Sequence, residues 1–143
     1  MAEAAWVLLE ILRAFSWETH TQPGQFVFRT KAEMLQMWQA DGGKEDRMPK
    51  VDFEKESVIA VFAGEKSGTG HKIRVELIVA AKDDKSGFVV YKEYPPGADS
   101  RAAQKSYPNH IVVVKKTAAT FKFLSADSAE GKQLLEASKK PAK

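Results

Sequence analysis

Three histidines are the first residues of this 143-residue chain to consider for metal binding or acid–base catalysis. His20, His71 and His110 lie far apart in the sequence, and no two have the one-turn spacing of an HExxH zinc motif. The chain has no cysteine, which excludes thiolate metal ligands, a cysteine nucleophile and disulfide bonds. The sequence therefore predicts no metal site and no cofactor.

The glycine-rich stretch 64–72 superficially resembles a phosphate-binding loop. In the motif GxxxxGK[ST] the lysine directly follows the second glycine, whereas Lys66 here precedes Gly68 and Gly70. The stretch also leads into a predicted strand, and not into a helix whose N-terminus would hold a phosphate. A flexible turn between two strands is therefore the interpretation that we favour.

The serine and carboxylate residues show no recognisable catalytic pattern. The chain contains no Gly-x-Ser-x-Gly elbow. Many acidic residues lie in charged segments that are typical of solvated turns, namely Asp41, Glu45, Asp46, Asp83 and Asp84. Carboxylates that meet only in the fold stay an open alternative. The prediction is a protein that is not an enzyme.

The composition is typical of a single soluble globular domain. Hydrophobic residues make up 43% of the chain and charged residues 29%, which are ordinary values. The formal net charge of +3 is modest and partly located in the last lysines, so we expect no nucleic-acid partner. No apolar run approaches the roughly 18 residues that a membrane span needs. We expect one domain, 1–138, followed by a flexible basic tail, 139–143.

The segment 30–43 contains the best-defined predicted helix. Thr30 and Glu33 have the spacing of a capping box, and Gly42-Gly43 is expected to end the helix. Its apolar stripe consists of Met34, Leu35, Met37 and Trp38. We favour a core-facing helix over the alternative, a methionine-rich docking groove.

The remaining pattern mostly predicts strands. Residues 6–17 fit either a strand or a helix, and we favour a strand that places Val7, Leu9, Ile11, Phe15 and Trp17 on one face. Ser57–Ala63 is a continuous apolar run that is typical of a buried central strand. Lys72–Ala80 and Phe88–Tyr94 flank a charged turn and predict a hairpin. Its first strand is expected to present one apolar face, made of Ile73, Val75, Leu77 and Val79.

Three further strands, at 25–29, 111–114 and 120–124, complete the predicted sheet. A short helix at 127–137 is weakly supported, because Gly131 costs a helix about 1 kcal/mol relative to alanine. Successive strands are joined by short turns, which favours antiparallel pairing. The predicted fold class is α+β: a mainly antiparallel β-sheet of about seven strands, one helix packed on it and a short C-terminal helix.

An ordered series of sequence features runs from residue 49 to residue 116 and follows the helix with Trp38. It consists of Pro49-x-Val51-Asp52-Phe53, the strand 58–62, the glycine turn 64–70, the strand with Ile73 and Val75, Pro96-Gly97, the segment 104–108 and the strand 111–114. In order and spacing this series resembles the C-terminal domain of the PrcB family of protease complex subunits. The family typically has Gly-Gly-aromatic in the glycine turn, where this chain has Gly70-His71. A cysteine often found after the Pro-Gly pair is also missing from Asp99–Arg101.

The resemblance implies a non-catalytic protein that binds another protein, a protease, and stabilises it. Such complexes are often exported bacterial ones, so the resemblance also implies a periplasmic or extracellular location, with a leader absent from this chain. The residues themselves do not indicate the compartment or the oligomeric state. No catalytic residue of the family is available to transfer.

Two long polar connections, Gly64–His71 and Pro95–Pro108, are the predicted binding segments, because exposed loops on a rigid sheet often bind partners. The side chains expected to contact the partner are Lys66, His71, Arg101, Gln104 and Tyr107. The alternative is that the glycines and prolines here only form turns. A second functional alternative is a pocket for a small ligand or glycan between sheet and helix, lined by Trp38, Phe62 and Tyr91.

Overall fold

Two four-stranded sheets and two helices make up the part of the chain that the computed structural model describes, residues 6–17, 20–97 and 104–139. The strands are β1 (Trp6–Leu8), β2 (Arg13–Phe15), β3 (Pro23–Phe28), β4 (Glu56–Ala63), β5 (Lys72–Ala81), β6 (Ser86–Tyr94), β7 (Asn109–Lys115) and β8 (Thr120–Ser125). The two α-helices are α1 (Lys31–Ala40) and α2 (Ala129–Lys139), and Glu45–Arg47 form a short 3-10 helix in addition.

The first sheet has the strand order β1-β5-β6-β8 and the second has the order β2-β7-β4-β3. Every neighbouring pair is antiparallel except β6 and β8, which are parallel. The α+β class and the mainly antiparallel pairing are thus confirmed. The strands number eight in the described residues and are divided between two sheets.

The core lies between the sheets and is continued on both outer faces by the helices. β4 contributes Ile59 and Val61 to the space between the sheets, where they meet Ile78 of β5 and Val89 of β6. Alternate residues of β4 point outward and pack with Met34 of α1. The prediction of a central strand buried on both faces is therefore confirmed, and α1 is the core-facing helix that its stripe predicts.

The capping pattern of α1 is present as predicted. The Glu33 N–H donates to the Thr30 hydroxyl at 3.2 Å, and the Thr30 N–H donates to Glu33 Oε1 at 3.1 Å. The helix ends at Ala40 with Asp41 as its C-cap, and Gly42 follows in the left-handed region with φ 91°. These local contacts fix the position of Trp38 in the last turns of the helix.

The first strand of the predicted hairpin does not present a single apolar face. A β-bulge between Val75 and Leu77 shifts the pairing of β5 with β6. Val75 and Ile78 therefore face the core between the sheets, whereas Leu77 and Val79 face α2. The expectation of one shared face was wrong, because the extra residue of a bulge reverses the alternation of side chains.

The N-terminal segment is extended, as predicted, but it is divided between the two sheets. After β1 pairs with β5 the chain crosses over, and the Leu12 N–H donates to the Val113 carbonyl of the second sheet at 2.8 Å. Trp17 is buried, yet Val7 and Ile11 stay 44% and 38% exposed. The expectation that Val7 and Ile11 share one buried face with Trp17 was wrong, because the crossover between the sheets interrupts the alternation of side chains along the strand.

Helix α2 covers the outer face of the first sheet with Leu134 and Leu135. Gly131 has a low helix propensity, but glycine is required here because the helix passes close to the Ser125 carbonyl. A Cβ at this position would lie 2.0 Å from the Ser125 carbonyl oxygen. Residues 140–143, most of the predicted basic tail, lie outside the described residues.

Candidate functional site

Residues 64–71 and 104–108, which belong to the two predicted binding segments, lie side by side at one end of the sandwich. Lys66 and Ser106 form an antiparallel bridge in which the Lys66 N–H donates to the Ser106 carbonyl at 2.8 Å and the Ser106 N–H donates back at 3.0 Å. The Ser106 hydroxyl also donates to the Gly68 carbonyl. We call the surface formed by residues 64–71 and 104–108 the loop pair.

Glycines shape the first half of the loop pair. Gly64 and Gly70 have φ angles of 83° and 89°, a region that other residues rarely adopt. A Cβ at Gly64 would lie 2.9 Å from the Pro23 ring nitrogen. The stretch connects β4 to β5, as the interpretation of a turn between strands predicts.

Side chains of both signs cover the loop pair. Lys105 Nζ lies 3.3 Å from Glu65 Oε2, and Lys66 Nζ lies 3.2 Å from Glu93 Oε1. The Tyr107 hydroxyl donates to Glu65 Oε1 at 3.4 Å. Because exposed ion pairs contribute at most about 1 kcal/mol, these side chains can exchange their present contacts for those of a partner at little cost.

The structure brings some of the predicted contact residues together. Lys66 and Tyr107 lie in the loop pair, on either side of Glu65 and its contacts. Gln104 is exposed at the edge of the surface, and His71 is half-buried just before β5. Arg101 lies outside the described residues.

A second site, which the sequence does not reveal, lies at the C-terminal end of α1. It is a cleft of about 520 Å³. Its lining is aromatic, small and charged, and consists of Trp17, Trp38, Asp41, Gly42, Gly43, Lys44 and Arg47. We call this site the tryptophan cleft.

The two indole rings of the tryptophan cleft are held in place by hydrogen bonds. They lie edge to face, with ring centroids 5.1 Å apart. The Trp17 Nε1–H donates to Asp41 Oδ2 at 2.9 Å, and the Trp38 Nε1–H donates to the Lys44 carbonyl at 2.7 Å. A Cβ at Gly43 would lie 2.5 Å from the Trp38 ring, so only glycine lets the chain pass this close.

Asp41 is a structural acceptor and not a solvated turn residue as expected. Besides the Trp17 indole, Oδ2 contacts His20 Nδ1 at 2.8 Å, and both the Asp41 and the His20 side chain are more than four-fifths buried. Asp84 departs from the same expectation, because its carboxylate accepts from the Ala118 N–H at 2.7 Å. A buried indole N–H needs an acceptor. On that ground Asp41, the acidic residue at the C-terminal end of α1, could have been identified from the sequence as an acceptor for a tryptophan.

The residues predicted to line a pocket between sheet and helix do not meet in one place. Trp38 lines the tryptophan cleft, whereas Phe62 is fully buried beneath Trp17, with ring centroids 5.7 Å apart. Tyr91 packs against the core between the two sheets. The pocket at α1 therefore has a different lining from the predicted one.

The described ranges contain no group of three or more histidine and acidic residues that could hold a metal ion. Within the same part of the chain, neither helix is long and apolar enough to cross a membrane.

One half-buried histidine makes a contact between the sheets. The Val75 N–H of β5 donates to His110 Nδ1 of β7 at 2.9 Å. Burial lowers the pKa of His110, the nearby charge of Arg74 lowers it further, and Glu76 opposes both. His110 is therefore a neutral structural acceptor at the edge of β5 that the short strand β1 leaves uncovered.

The fold and its exposed loops define an α+β sandwich with a loop pair at one end. Residues 57–115 match the family model described as PrcB C-terminal, which confirms the resemblance seen in the sequence. The match runs from the second residue of β4 to the last residue of β7 and includes the loop pair. It covers less than half of the chain and leaves out both helices and the tryptophan cleft. No curated protein and no solved structure matches the chain.

Proposed function

We propose that this protein is a non-catalytic protein-binding domain that associates with a protease and stabilises it. The observation that carries this proposal is the match of residues 57–115 to a family of protease complex subunits. The proposed unit is a single domain, 1–138, with 139–143 as a basic tail.

The loop pair is the proposed contact surface. Its position within the matched segment supports this choice, and so does the weak engagement of its side chains in the fold. The proposed contact residues are Lys66, His71, Arg101, Gln104 and Tyr107. Tyrosine and arginine are enriched at protein interfaces because they combine apolar area with hydrogen-bonding groups.

Positive and negative side chains alternate on the loop pair, a pattern that favours specific over non-specific binding of a partner. Glu65 and Glu93 each lie beside a lysine, Lys105 and Lys66 respectively. A partner with the complementary pattern would replace both exposed pairs at once, and the pattern would set its orientation more than its affinity.

Site-directed photo-cross-linking in an extract of the native source tests the proposal. A photoreactive amino acid replaces Gln104 in the loop pair, and the matched control carries it at Lys82, an exposed residue of the β5–β6 turn at the opposite end. We expect a protease to be cross-linked through position 104 and not through position 82. Purified protease should also lose activity more slowly in the presence of the domain.

Two results would contradict this function. One is a set of cross-linked proteins from position 104 that contains no protease. The other is an equal yield of protease from positions 104 and 82, which would place the contact elsewhere.

Binding of a small ligand is a second candidate function, and the tryptophan cleft favours it. Its volume of about 520 Å³ falls within the usual range of ligand pockets, roughly 300–1,000 Å³. A ligand of the folded state raises the melting temperature. A thermal-shift screen of sugars and small organic acids in which no compound does so would contradict this function.

A further inference from the structure

The tryptophan cleft has walls that are rigid before any ligand arrives. Both indole N–H groups donate to acceptors within the protein, and Gly43 packs directly against the Trp38 ring. Because Trp17 is buried and Trp38 is partly exposed, Trp38 offers a ligand the apolar surface of its ring and not its hydrogen-bond donor. A planar apolar group is the natural occupant of such a surface, because aromatic rings pack edge to face or with an offset.

The exposed charged side chains that line the tryptophan cleft are positive. Lys44 and Arg47 line the cleft and are exposed. Neither side chain forms an ion pair with any residue in the ranges that the structure describes. They are the two cationic groups beside the aromatic walls.

Of the nearby acidic residues, Asp41 lines the cleft, whereas Glu45 and Asp46 line a separate pocket with Lys31. The Asp41 carboxylate receives the Trp17 N–H at 2.9 Å and contacts the His20 ring at 2.8 Å. Glu45 lies 3.2 Å from Lys31 Nζ. The balance of accessible charge in the cleft is therefore positive.

We infer that the tryptophan cleft binds a planar aromatic group that carries a carboxylate. The ring would pack against Trp38, while Arg47 and Lys44 would hold the carboxylate. Arginine binds carboxylates through two parallel hydrogen bonds, and lysine adds a point charge. A small aromatic acid and the C-terminal aromatic residue of a protein chain share this chemistry.

The test follows the indole N–H signals of the ¹⁵N-labelled protein by NMR. The chain has three tryptophans, and Trp6, which packs on Phe88 of the first sheet, is an internal reference. The probes are N-acetyl-phenylalanine, its neutral amide, phenethylamine and an acetylated tetrapeptide that ends in phenylalanine with a free carboxylate. We expect the two free carboxylates to shift the Trp17 and Trp38 signals and to leave Trp6 in place.

Charge-reversal variants test the proposed role of the cations. Arg47→Glu and Lys44→Glu should each weaken the binding of N-acetyl-phenylalanine by about tenfold, the effect of losing one charge-assisted hydrogen bond. The matched control is Lys55→Glu, an exposed residue outside the cleft, which should bind like the wild type. An unchanged Trp6 signal in every variant shows that the fold is intact.

The outcomes separate the two sources of the carboxylate. A tetrapeptide that binds more than tenfold tighter than N-acetyl-phenylalanine supports a chain end as the ligand, and equal affinities support a small acid. Three results would overturn the inference. The amide could bind as tightly as the carboxylate, phenethylamine could shift the indole signals in place of the carboxylates, or no probe could shift them at concentrations up to about 10 mM.

Discussion

The two ends of the sandwich use their polar residues in opposite ways. At the end that carries the β5–β6 and β7–β8 connections, which we call the closed end, the polar groups bind one another. The Asp84 carboxylate accepts from the Thr117 hydroxyl, and the Thr117 N–H donates to the Ser57 hydroxyl at 3.2 Å. Arg29 donates to the Thr117 carbonyl. Ser57 and Thr117 are buried, so these bonds serve the fold.

At the opposite end the loop pair is joined mainly through backbone groups. The bridge between Lys66 and Ser106 uses N–H and carbonyl groups, and the long side chains form exposed ion pairs above it. The closed end thus uses its side chains for stability, whereas the side chains of the loop pair form ion pairs near the surface, where the proposed partner would meet them. Substitutions at the two ends should therefore affect different measurements.

Asp84→Ala should produce the largest loss of stability, about 3 kcal/mol. The Thr117 hydroxyl and the Ala118 N–H lose an ionised acceptor, and alanine fits the φ of 60° at this position less well than aspartate. Urea unfolding with an unchanged m-value measures the loss. The neighbouring Asp83→Ala removes an exposed acceptor of the Lys85 N–H and should cost less than about 1 kcal/mol. Equal losses in the two variants would contradict the distinct role of Asp84.

His110→Ala should cost about 2 kcal/mol, because the Val75 N–H loses its acceptor at the edge of β5. The control is His71→Ala, in the loop pair, which should leave the unfolding midpoint unchanged.

The cost of His110→Ala should depend on pH. Because the pKa of His110 is lowered in the folded state, its stabilising contribution is complete above the pKa of the unfolded chain, about 6.5. It decreases as the pH falls through that value. Urea unfolding of both proteins at pH 8 and pH 5 checks this. A difference in unfolding free energy between the wild type and His110→Ala that is larger at pH 5 than at pH 8 would contradict this prediction.

Glu56→Gln should cost about 1 kcal/mol at pH 7. The Arg13 guanidinium donates to both Glu56 oxygens, at 2.7 and 2.9 Å. This contact, with help from the Asp52 N–H, lowers the pKa of Glu56 from 4.5 to about 2. The lowered pKa alone implies a larger effect, which solvent reduces because Arg13 is 44% exposed.

The contribution of Glu56 is present above the unfolded pKa of 4.5 and is lost as the pH falls through the folded pKa of about 2. The unfolding free energies of the wild type and Glu56→Gln should therefore converge between pH 4.5 and pH 2. A constant difference over this range would show that the carboxylate charge is not responsible.

Lys66→Ala and Lys105→Ala should have the smallest effect on stability, less than about 0.5 kcal/mol each, because both remove exposed ion pairs. Their effect should appear instead as a lower yield of protease cross-linked through position 104. Thermal unfolding and the cross-linking assay measure the two effects separately. A stability loss as large as that of Asp84→Ala would remove the proposed difference between the two ends.

The features that were predicted from sequence depend on short-range rules. The cap of α1 joins Thr30 to Glu33, and the glycine turn follows from Gly64 and Gly70. The hairpin β5–β6 needs only two strands and the turn between them. The positions of Lys66 and Tyr107 near one surface were also predicted from the sequence, because residues 64–71 and 104–108 each flank a strand of the same sandwich.

The features that sequence did not reveal depend on residues that meet only in three dimensions. Trp17 and Asp41, which form one wall of the tryptophan cleft, are 24 positions apart. The β-bulge follows no visible pattern, because residues 77–80 are apolar and fit either face. Gly131 looks unfavourable for a helix until the Ser125 carbonyl is seen beside it.

The crossover of the N-terminal segment has a consequence for synthesis on the ribosome. Trp6 leaves the exit tunnel before its pairing partner in β5, Ala81, and Arg13 leaves before its partner Val113. β1 and β2 must therefore wait until β5 and β7 have been translated, a matter of seconds at about 5–20 residues per second. During that interval the apolar stretch from Trp6 to Leu12 has no strand to pair with. We expect it to be the segment of the nascent chain that chaperones bind first, which ribosome-bound cross-linking would show.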